Sequence, residues 1–176
     1  MKKIKDNRYQ LFILRHGKAS DELLGRDFDR SLTDIGIGQA EKIGEWMSNH
    51  DLKPDFVLTS PANRAIMTTE IVTKKLNIEP QKIHIASQIY EADLATLLIM
   101  LANCSPQNRK VLLVGHNPSL EYLVNHLLSK SITREVTNDD HLLPATLVHL
   151  ELNSDWSQLT SHCAQLVSIC HGKLLP

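Results

Sequence analysis

Residues 9–17 read YQLFILRHG, and this stretch decides the fold prediction. Its apolar run stops at the polar triplet Arg15-His16-Gly17, which predicts a short buried strand from Tyr9 to Leu14. Two later runs have the same form, FVLT from Phe56 to Thr59 and KVLLV from Lys110 to Val114. Short continuous apolar runs of this kind are typical of strands that are buried on both faces of a sheet.

Helical patterns lie between these strands. Thr33 is a candidate N-cap, and Pro61 suits a position at or near the first turn of a helix. The predicted helices are Thr33 to about Asn49, with Ile35, Ala40, Ile43, Trp46 and Met47 on its apolar side, then Ala62 to Leu76, Asp93 to Leu101, and the segment after Gly115-His116-Asn117-Pro118 as far as Leu128. The remaining predictions are an edge strand over Lys82 to Ile85, two final strands over Thr146 to Leu152 and Ala164 to Ile169, and loops over Ser20 to Ser31 and Ser129 to Leu143.

Strands that alternate with helices predict an α/β fold, with a mainly parallel central sheet and helices on both faces. A length of 176 residues suits one domain and leaves little room for a second. We therefore expect a single domain over residues 1–176, with its core over about residues 9–170.

Charge and cysteine usage narrow the class of protein. The net charge is −1 and the basic residues are scattered along the chain, so neither nucleic acid nor a membrane surface is an expected partner. The three cysteines are an odd number without CxxC spacing, which argues against a disulfide framework and a zinc site. The N-terminal apolar run of roughly five residues is shorter than a signal peptide or a membrane span requires. Together these features predict a cytoplasmic protein.

Residues suited to phosphate chemistry follow three of the predicted strands. Arg15 and His16 follow the first strand, Arg64 the second, and His116 the third. Ligands of such sheets bind beyond the carboxyl ends of the strands, so we expect these side chains to meet. Arg15 and Arg64 are a predicted clamp, because guanidinium groups bind phosphoryl oxygens in pairs. A neutral His16 can take the phosphoryl group covalently, and His116 can donate to a phosphate oxygen, best when it is protonated.

Other side chains are candidates for this site, but each of them also has an ordinary structural interpretation. Glu91 lies just before a predicted helix and is the best-placed carboxylate for a general acid, although such a residue also suits the helix dipole. A departing alkoxide needs this acid far more than a departing imidazole does. Lys18, Ser20 and Arg30 are further candidates for the phosphate site, and solvated loop residues are the alternative interpretation for each.

Neither a metal nor another cofactor is predicted. No two of the nine histidines are closer than eight residues apart, so the helical pair of metal ligands is absent. Gly36 and Gly38 form neither a dinucleotide-binding fingerprint nor a phosphate-binding Walker loop.

Five motifs occur in an order that resembles the histidine phosphatase superfamily (branch 1), which is phosphoglycerate mutase-like. They are LRHGKAS, LTDIGIGQA, TSPANRAIMT, IYEA and VGHNPSLEYLV, and the similarity is strongest to the short SixA-type phosphohistidine phosphatases. The resemblance implies a metal-independent phosphohydrolase with a mixed α/β sheet. It assigns the nucleophile to His16, the phosphate contacts to Arg15, Arg64 and His116, and the acid to Glu91.

Two departures refine the functional hypothesis. Lys18-Ala19-Ser20-Asp21 replaces the Thr or Ser and the Asn of mutase-like members, which disfavours the mutase branch. The chain also lacks the long insertions that close a small-metabolite pocket, and an open site suits a phosphorylated protein. The expected partner is therefore a phosphohistidine-bearing signalling or relay protein. A small phosphomonoester and a non-catalytic role in binding phosphorylated ligands remain the alternatives.

Overall fold

A computed structural model describes residues 8–21, 25–129, 132 and 142–176. A six-stranded sheet forms its centre, in the order β3-β2-β4-β1-β5-β6. The strands are β1 (Tyr9–Arg15), β2 (Phe56–Thr59), β3 (Ile83–Ile85), β4 (Lys110–Gly115), β5 (Thr146–Leu152) and β6 (Ala164–His171). The helices described are α1 (Asp34–Asn49), α2 (Asn63–Lys75), α3 (Leu94–Ala102) and α4 (Ser119–Leu127).

The first four strands run parallel, and β5 pairs antiparallel with β1 and β6. The prediction of a mainly parallel sheet with β3 at an edge is thus confirmed. The proposed loop from Ser129 to Leu143 lies mostly outside the described residues.

Two apolar clusters cover opposite faces of the sheet. Leu11 and Ile13 of β1 pack in the cluster that contains α3 and α4, whereas Phe12 and Leu14 pack in the cluster that contains α1 and α2. Successive side chains of a strand point to opposite faces, so β1 must be apolar throughout. This confirms the predicted helices on both faces.

The N-terminus of α1 packs against the loop that follows β1. The Thr33 side chain accepts a hydrogen bond from the Gly36 N–H at 3.1 Å, which confirms the predicted N-cap. Thr33 in turn donates to the Lys18 carbonyl through its backbone N–H at 2.9 Å and its hydroxyl at 3.1 Å. The expectation that Ile35 belongs to the apolar side is wrong. Its side chain is 59% exposed, because Gly36 takes the buried place in the first turn.

We expect Gly36→Ala to lower the free energy of unfolding by about 1–3 kcal/mol, the usual cost of overpacking. A Cβ on Gly36 would overlap the backbone carbonyl of Lys18, so either α1 or the loop after β1 must shift. Gly38→Ala is the matched control, because a Cβ there meets nothing within 4 Å and should stabilise the helix by roughly 0.4–1 kcal/mol. Urea unfolding of both variants checks the prediction, and equal stability of the two would contradict it.

The three cysteines are free thiols and all are buried. Burial of Cys170 at 5% exposure corrects the suggestion that this C-terminal thiol could be exposed. Across the described ranges, no helix combines the length and the apolar character that crossing a bilayer requires.

Candidate active site

A cavity of about 520 Å³ opens at the carboxyl ends of the parallel strands. The predicted residues meet there because β1, β2 and β4 are neighbours that end at one edge of the sheet. The cavity is lined by four basic side chains (Arg15, Lys18, Arg30 and Arg64), two carboxylates (Asp21 and Asp27), two histidines (His16 and His116), and Ala19, Asn117 and Pro144. The structure therefore brings the predicted clamp and both predicted histidines together.

His16 is held by its backbone and by its ring. Its N–H donates to the Gly115 carbonyl at 3.2 Å, and its own carbonyl accepts from the Ala145 N–H at 3.0 Å. The ring Nδ1 lies 2.7 Å from the Gly17 carbonyl oxygen. A carbonyl can only accept, so Nδ1 carries the proton and Nε2 carries the lone pair. Nε2 accepts from Arg64 Nε at 3.2 Å.

Burial, the largest cause, and the positive charges of Arg64 and Arg15 together lower the pKa of His16 to about 4, although the hydrogen bond to Gly17 acts in the opposite direction. Desolvation and neighbouring cations both disfavour the imidazolium. The ring is therefore neutral at pH 7 and presents a nucleophilic nitrogen.

Arg64 connects His16 to Asp27, a residue that the sequence did not single out. Arg64 is 6% exposed. Its Nη2 donates to Asp27 Oδ2 at 2.8 Å and its Nη1 to the Asp27 backbone carbonyl at 2.5 Å. Asp27 also accepts from Arg30 Nη1 at 2.9 Å and from the Tyr90 hydroxyl at 3.1 Å.

Asp27 is ionised in this setting. Burial alone would raise the pKa of the Asp27 carboxyl, but the hydrogen bonds from Arg30 and Arg64 outweigh it and lower the pKa to about 2. Burial and the adjacent carboxylate raise the pKa of Tyr90, so its hydroxyl keeps its proton and remains a donor.

His116 is oriented by Ser60, which the sequence analysis also missed. Its Nε2 lies 2.7 Å from Ser60 Oγ. That oxygen accepts from the Ala62 N–H at 3.3 Å, and it can either donate to Nε2 or accept from it, because a hydroxyl has one proton and two lone pairs. Nδ1 is buried without a hydrogen-bond partner in the described part of the chain. In the tautomer in which Ser60 donates to Nε2, the ring proton sits on Nδ1 and no partner in the described residues uses it.

Burial, together with the charges of His16 and Arg64, lowers the pKa of His116 to about 3, so the ring is neutral at pH 7. A bound dianion would raise this pKa, and the expectation that His116 donates best when it is protonated beside the anion stays a prediction.

Arg15 is anchored by the segment around Leu142. Its Nη1 donates to the Leu142 carbonyl, and burial lowers its pKa while the Glu121 carboxylate raises it. Glu121 is buried, and it accepts from Asn117 Nδ2 and, at 2.9 Å, from the Leu142 N–H. A buried carboxylate therefore ties α4 to the segment that holds Arg15.

The remaining candidates differ in where the structure places them. Lys18 and Arg30 line the cavity. Ser20 is absent from its lining, and its hydroxyl oxygen is buried without a hydrogen-bond partner in the described residues. Glu91 is exposed, has a backbone φ of 56°, and does not line the cavity. Its role as a general acid stays a prediction.

Within the described ranges, no group of three or more His, Cys, Asp or Glu side chains is arranged to hold a metal ion. Independence from metal stays a prediction.

Sequence comparisons agree with the motif order. The family model of the histidine phosphatase superfamily (branch 1) matches residues 11–98, half of the chain. A 2,3-bisphosphoglycerate-dependent phosphoglycerate mutase from Nocardia farcinica is 38% identical over 66 residues, which are 36% of this chain and 27% of the mutase. The phosphohistidine phosphatase SixA of Escherichia coli is 29% identical over 120 residues, which are 67% of this chain and 73% of that protein. The chain thus matches about a quarter of the mutase's length and about three quarters of the SixA protein's length.

Structural comparison extends the similarity over nearly the whole chain. The crystal structure of a putative phosphohistidine phosphatase SixA from Agrobacterium tumefaciens superimposes with a TM-score of 0.80 at 25% identity. The match covers 93% of this chain and 97% of that one. The two chains therefore share an architecture over the matched residues.

Proposed function

Because this chain belongs to the histidine phosphatase superfamily (branch 1), we propose that it is a phosphatase that works through a phosphohistidine intermediate on His16. One observation carries the proposal: the Nδ1 proton of His16 is fixed on the Gly17 carbonyl, so the Nε2 lone pair faces a cavity lined by arginines. The residue types and their geometry match what covalent phosphoryl transfer requires.

The reaction has two steps in this proposal. The phosphoryl oxygens bind Arg15, Arg64 and His116 Nδ1–H, and His16 Nε2 attacks phosphorus while the bond to the leaving group breaks. Water then attacks the phosphoryl group on His16, and the P–N bond breaks with its electron pair returning to Nε2. No step uses a metal or an organic cofactor.

The substrate that we propose is a phosphohistidine side chain on a signalling or relay protein. When the second ring nitrogen of phosphohistidine carries a proton, neutral imidazole departs. Its conjugate acid has a pKa near 6.5, so this leaving group needs an enzyme acid far less than an alkoxide does. The cavity suits this leaving group, because the carboxylate that contacts Arg64, Asp27, is ionised and Glu91 lies outside the lining. The name of the Escherichia coli relative, a phosphohistidine phosphatase, supports the same substrate class.

Two peptides of identical sequence, one carrying phosphohistidine and the other phosphoserine, test this proposal. We expect kcat/KM to favour the phosphohistidine peptide by about 10²–10⁴-fold, the usual contribution of the acid catalysis that an alkoxide requires. Phosphate release measured with purified enzyme checks the ratio. Equal turnover would indicate a phosphomonoesterase, and binding of inorganic phosphate without hydrolysis of either peptide would indicate a non-catalytic binder.

Glu91→Gln extends the same test to the predicted acid. A loss of turnover confined to the phosphoserine peptide would assign the acid role to Glu91, whereas an equal loss on both peptides would contradict that role. Glu79→Gln changes another exposed carboxylate, which accepts from Gln81, and serves as the control.

A further inference from the structure

Arg64 contacts both the proposed nucleophile and a carboxylate. Its Nε and Nη2 groups lie on one edge of the guanidinium and present parallel N–H bonds. Nε donates to His16 Nε2 at 3.2 Å, and Nη2 donates to Asp27 Oδ2 at 2.8 Å. Such an edge normally binds two oxygens of one carboxylate or phosphate. Neighbouring nitrogens of one guanidinium therefore contact His16 and Asp27, and a phosphoryl group bound to Arg64 would compete with both contacts.

Asp27 has contacts that do not depend on Arg64. Arg30 Nη1 holds Oδ1, and the Tyr90 hydroxyl holds Oδ2. Tyr90 is itself positioned by edge-to-face contacts with Phe28 and His116, at ring-centroid distances of 5.1 and 5.8 Å. When a phosphoryl group takes the Arg64 edge, these contacts keep the carboxylate at the mouth of the cavity.

Asp27 is much more exposed to solvent than the buried nucleophile. The His16 residue is 8% exposed, whereas the Asp27 side chain is 51% exposed. Both residues line the same cavity, so Asp27 is a solvent-accessible carboxylate in the cavity where phospho-His16 would be hydrolysed.

We propose that Asp27 is the catalytic base of the second step, accepting a proton from the water that hydrolyses phospho-His16. This inference rests on the proposed function. The water oxygen bonds to phosphorus, one water proton moves to Asp27 Oδ2, and the other stays on the new phosphate oxygen. The P–Nε2 bond breaks and its electron pair returns to His16. The proton on Asp27 then passes to the departing phosphate or to solvent, which restores the carboxylate.

Neither of the other nearby carboxylates fits this role as well. Asp21 lines the cavity, but its side chain is 93% exposed and its contact with Arg30 is a 3.6 Å ion pair. Glu91 does not line the cavity. While Arg30 and Arg64 both donate to it, the pKa of Asp27 is about 2 and the carboxylate is a weak base. A phosphoryl group that takes the Arg64 hydrogen bond removes one of these donors, which raises the pKa of Asp27 and strengthens it as a base.

Rapid quench of Asp27→Asn with a labelled phosphohistidine peptide tests the base. We expect a first-turnover burst of dephosphorylated peptide close to that of wild type, accumulation of phosphoenzyme, and a steady-state rate lower by about 10²-fold or more. Asp29→Asn is the matched control. It lies on the same loop, but its carboxylate pairs with the exposed Arg26 at 3.0 Å, and it should behave as wild type.

A second measurement separates this role from a structural one. Asp27→Asn should bind inorganic phosphate at least as tightly as wild type, because it loses a carboxylate that competes for Arg64, and Asp27→Glu should recover part of the hydrolysis rate. Loss of the burst, weaker phosphate binding, or an unchanged steady-state rate would overturn the proposal. If wild type itself forms no phosphoenzyme, the proposed function fails. If wild type forms it and Asp27→Asn does not accumulate it, only the base is wrong.

Discussion

His16→Ala is expected to abolish phosphoenzyme formation and to lower turnover by about 10⁴- to 10⁶-fold, the range found when a covalent nucleophile is removed. In the proposed mechanism, Nε2 of His16 is the nitrogen that receives the phosphoryl group. The arginines and His116 would remain, so inorganic phosphate should still bind. Rapid quench without acid, using a labelled substrate, detects the intermediate.

His84→Ala is the control for this variant. His84 is an exposed imidazole on β3 that stacks on Phe56 and does not line the active-site cavity, so its removal should leave turnover intact. Normal turnover by His16→Ala, with no acid-labile phosphoenzyme in wild type, would contradict the covalent mechanism.

The pH dependence of kcat/KM gives a second readout of the same residue. His16 has its pKa lowered to about 4, and only the neutral ring has a lone pair on Nε2. As pH falls through about 4, the ring gains a proton and activity should be lost, whereas activity should not fall between pH 7 and 5 through this group. The profile of kcat/KM reports the free enzyme. An acidic limb assigned to His16 near pH 6.5 would contradict the burial argument.

The parts of the site that could be predicted are those that local sequence determines. Arg15 and His16 follow directly from a strand end, and His116 follows from another. Because these strands are parallel neighbours, their carboxyl ends had to converge. The position of Arg64 in the first turn of α2 then followed from the short connection after β2.

Asp27, Ser60 and Glu121 could not be found in the same way, because their roles depend on distant contacts. Asp27 meets Arg64 across 37 positions of the chain, and its loop has no periodic pattern that predicts a direction. Ser60 precedes Pro61, and a Ser-Pro pair is an ordinary turn signal, so its sequence position does not indicate a contact with a catalytic residue. Glu121 lies in a helix whose buried face is otherwise mainly apolar, where a carboxylate is normally expected to face solvent.

Glu91 was a candidate from the sequence, but its position relative to the cavity could not be predicted. Its place before α3 was predictable, but the direction of its side chain was not. The left-handed backbone at Glu91, with φ of 56°, is unusual for a residue other than glycine and has no signal in the sequence. The carboxylate that shares Arg64 with the nucleophile instead comes from the loop at Asp27, and Asp27 is therefore the first carboxylate to test.

Arg64→Ala is expected to lower kcat/KM by about 10³-fold. Removal of a single preorganised donor to a transition-state oxygen typically costs 10²–10³-fold, and this variant removes the donors of a whole guanidinium. It also removes the Nε contact that faces His16 and one of the groups that hold Asp27. Steady-state kinetics with the phosphohistidine peptide, and inhibition by inorganic phosphate, measure the loss.

Arg64→Lys separates charge from geometry. A lysine keeps the positive charge but cannot donate two parallel hydrogen bonds, so it cannot contact the nucleophile side and the Asp27 side of the phosphoryl group together. We therefore expect Arg64→Lys to remain at least about 10²-fold below wild type. Arg26→Ala removes an arginine from the same loop region whose side chain is 86% exposed and pairs only with Asp29 among the described ion pairs, and it should retain full activity. Near-normal turnover of Arg64→Lys would show that a positive charge is sufficient at this position, and the two-sided contact of Arg64 would then have no part in catalysis.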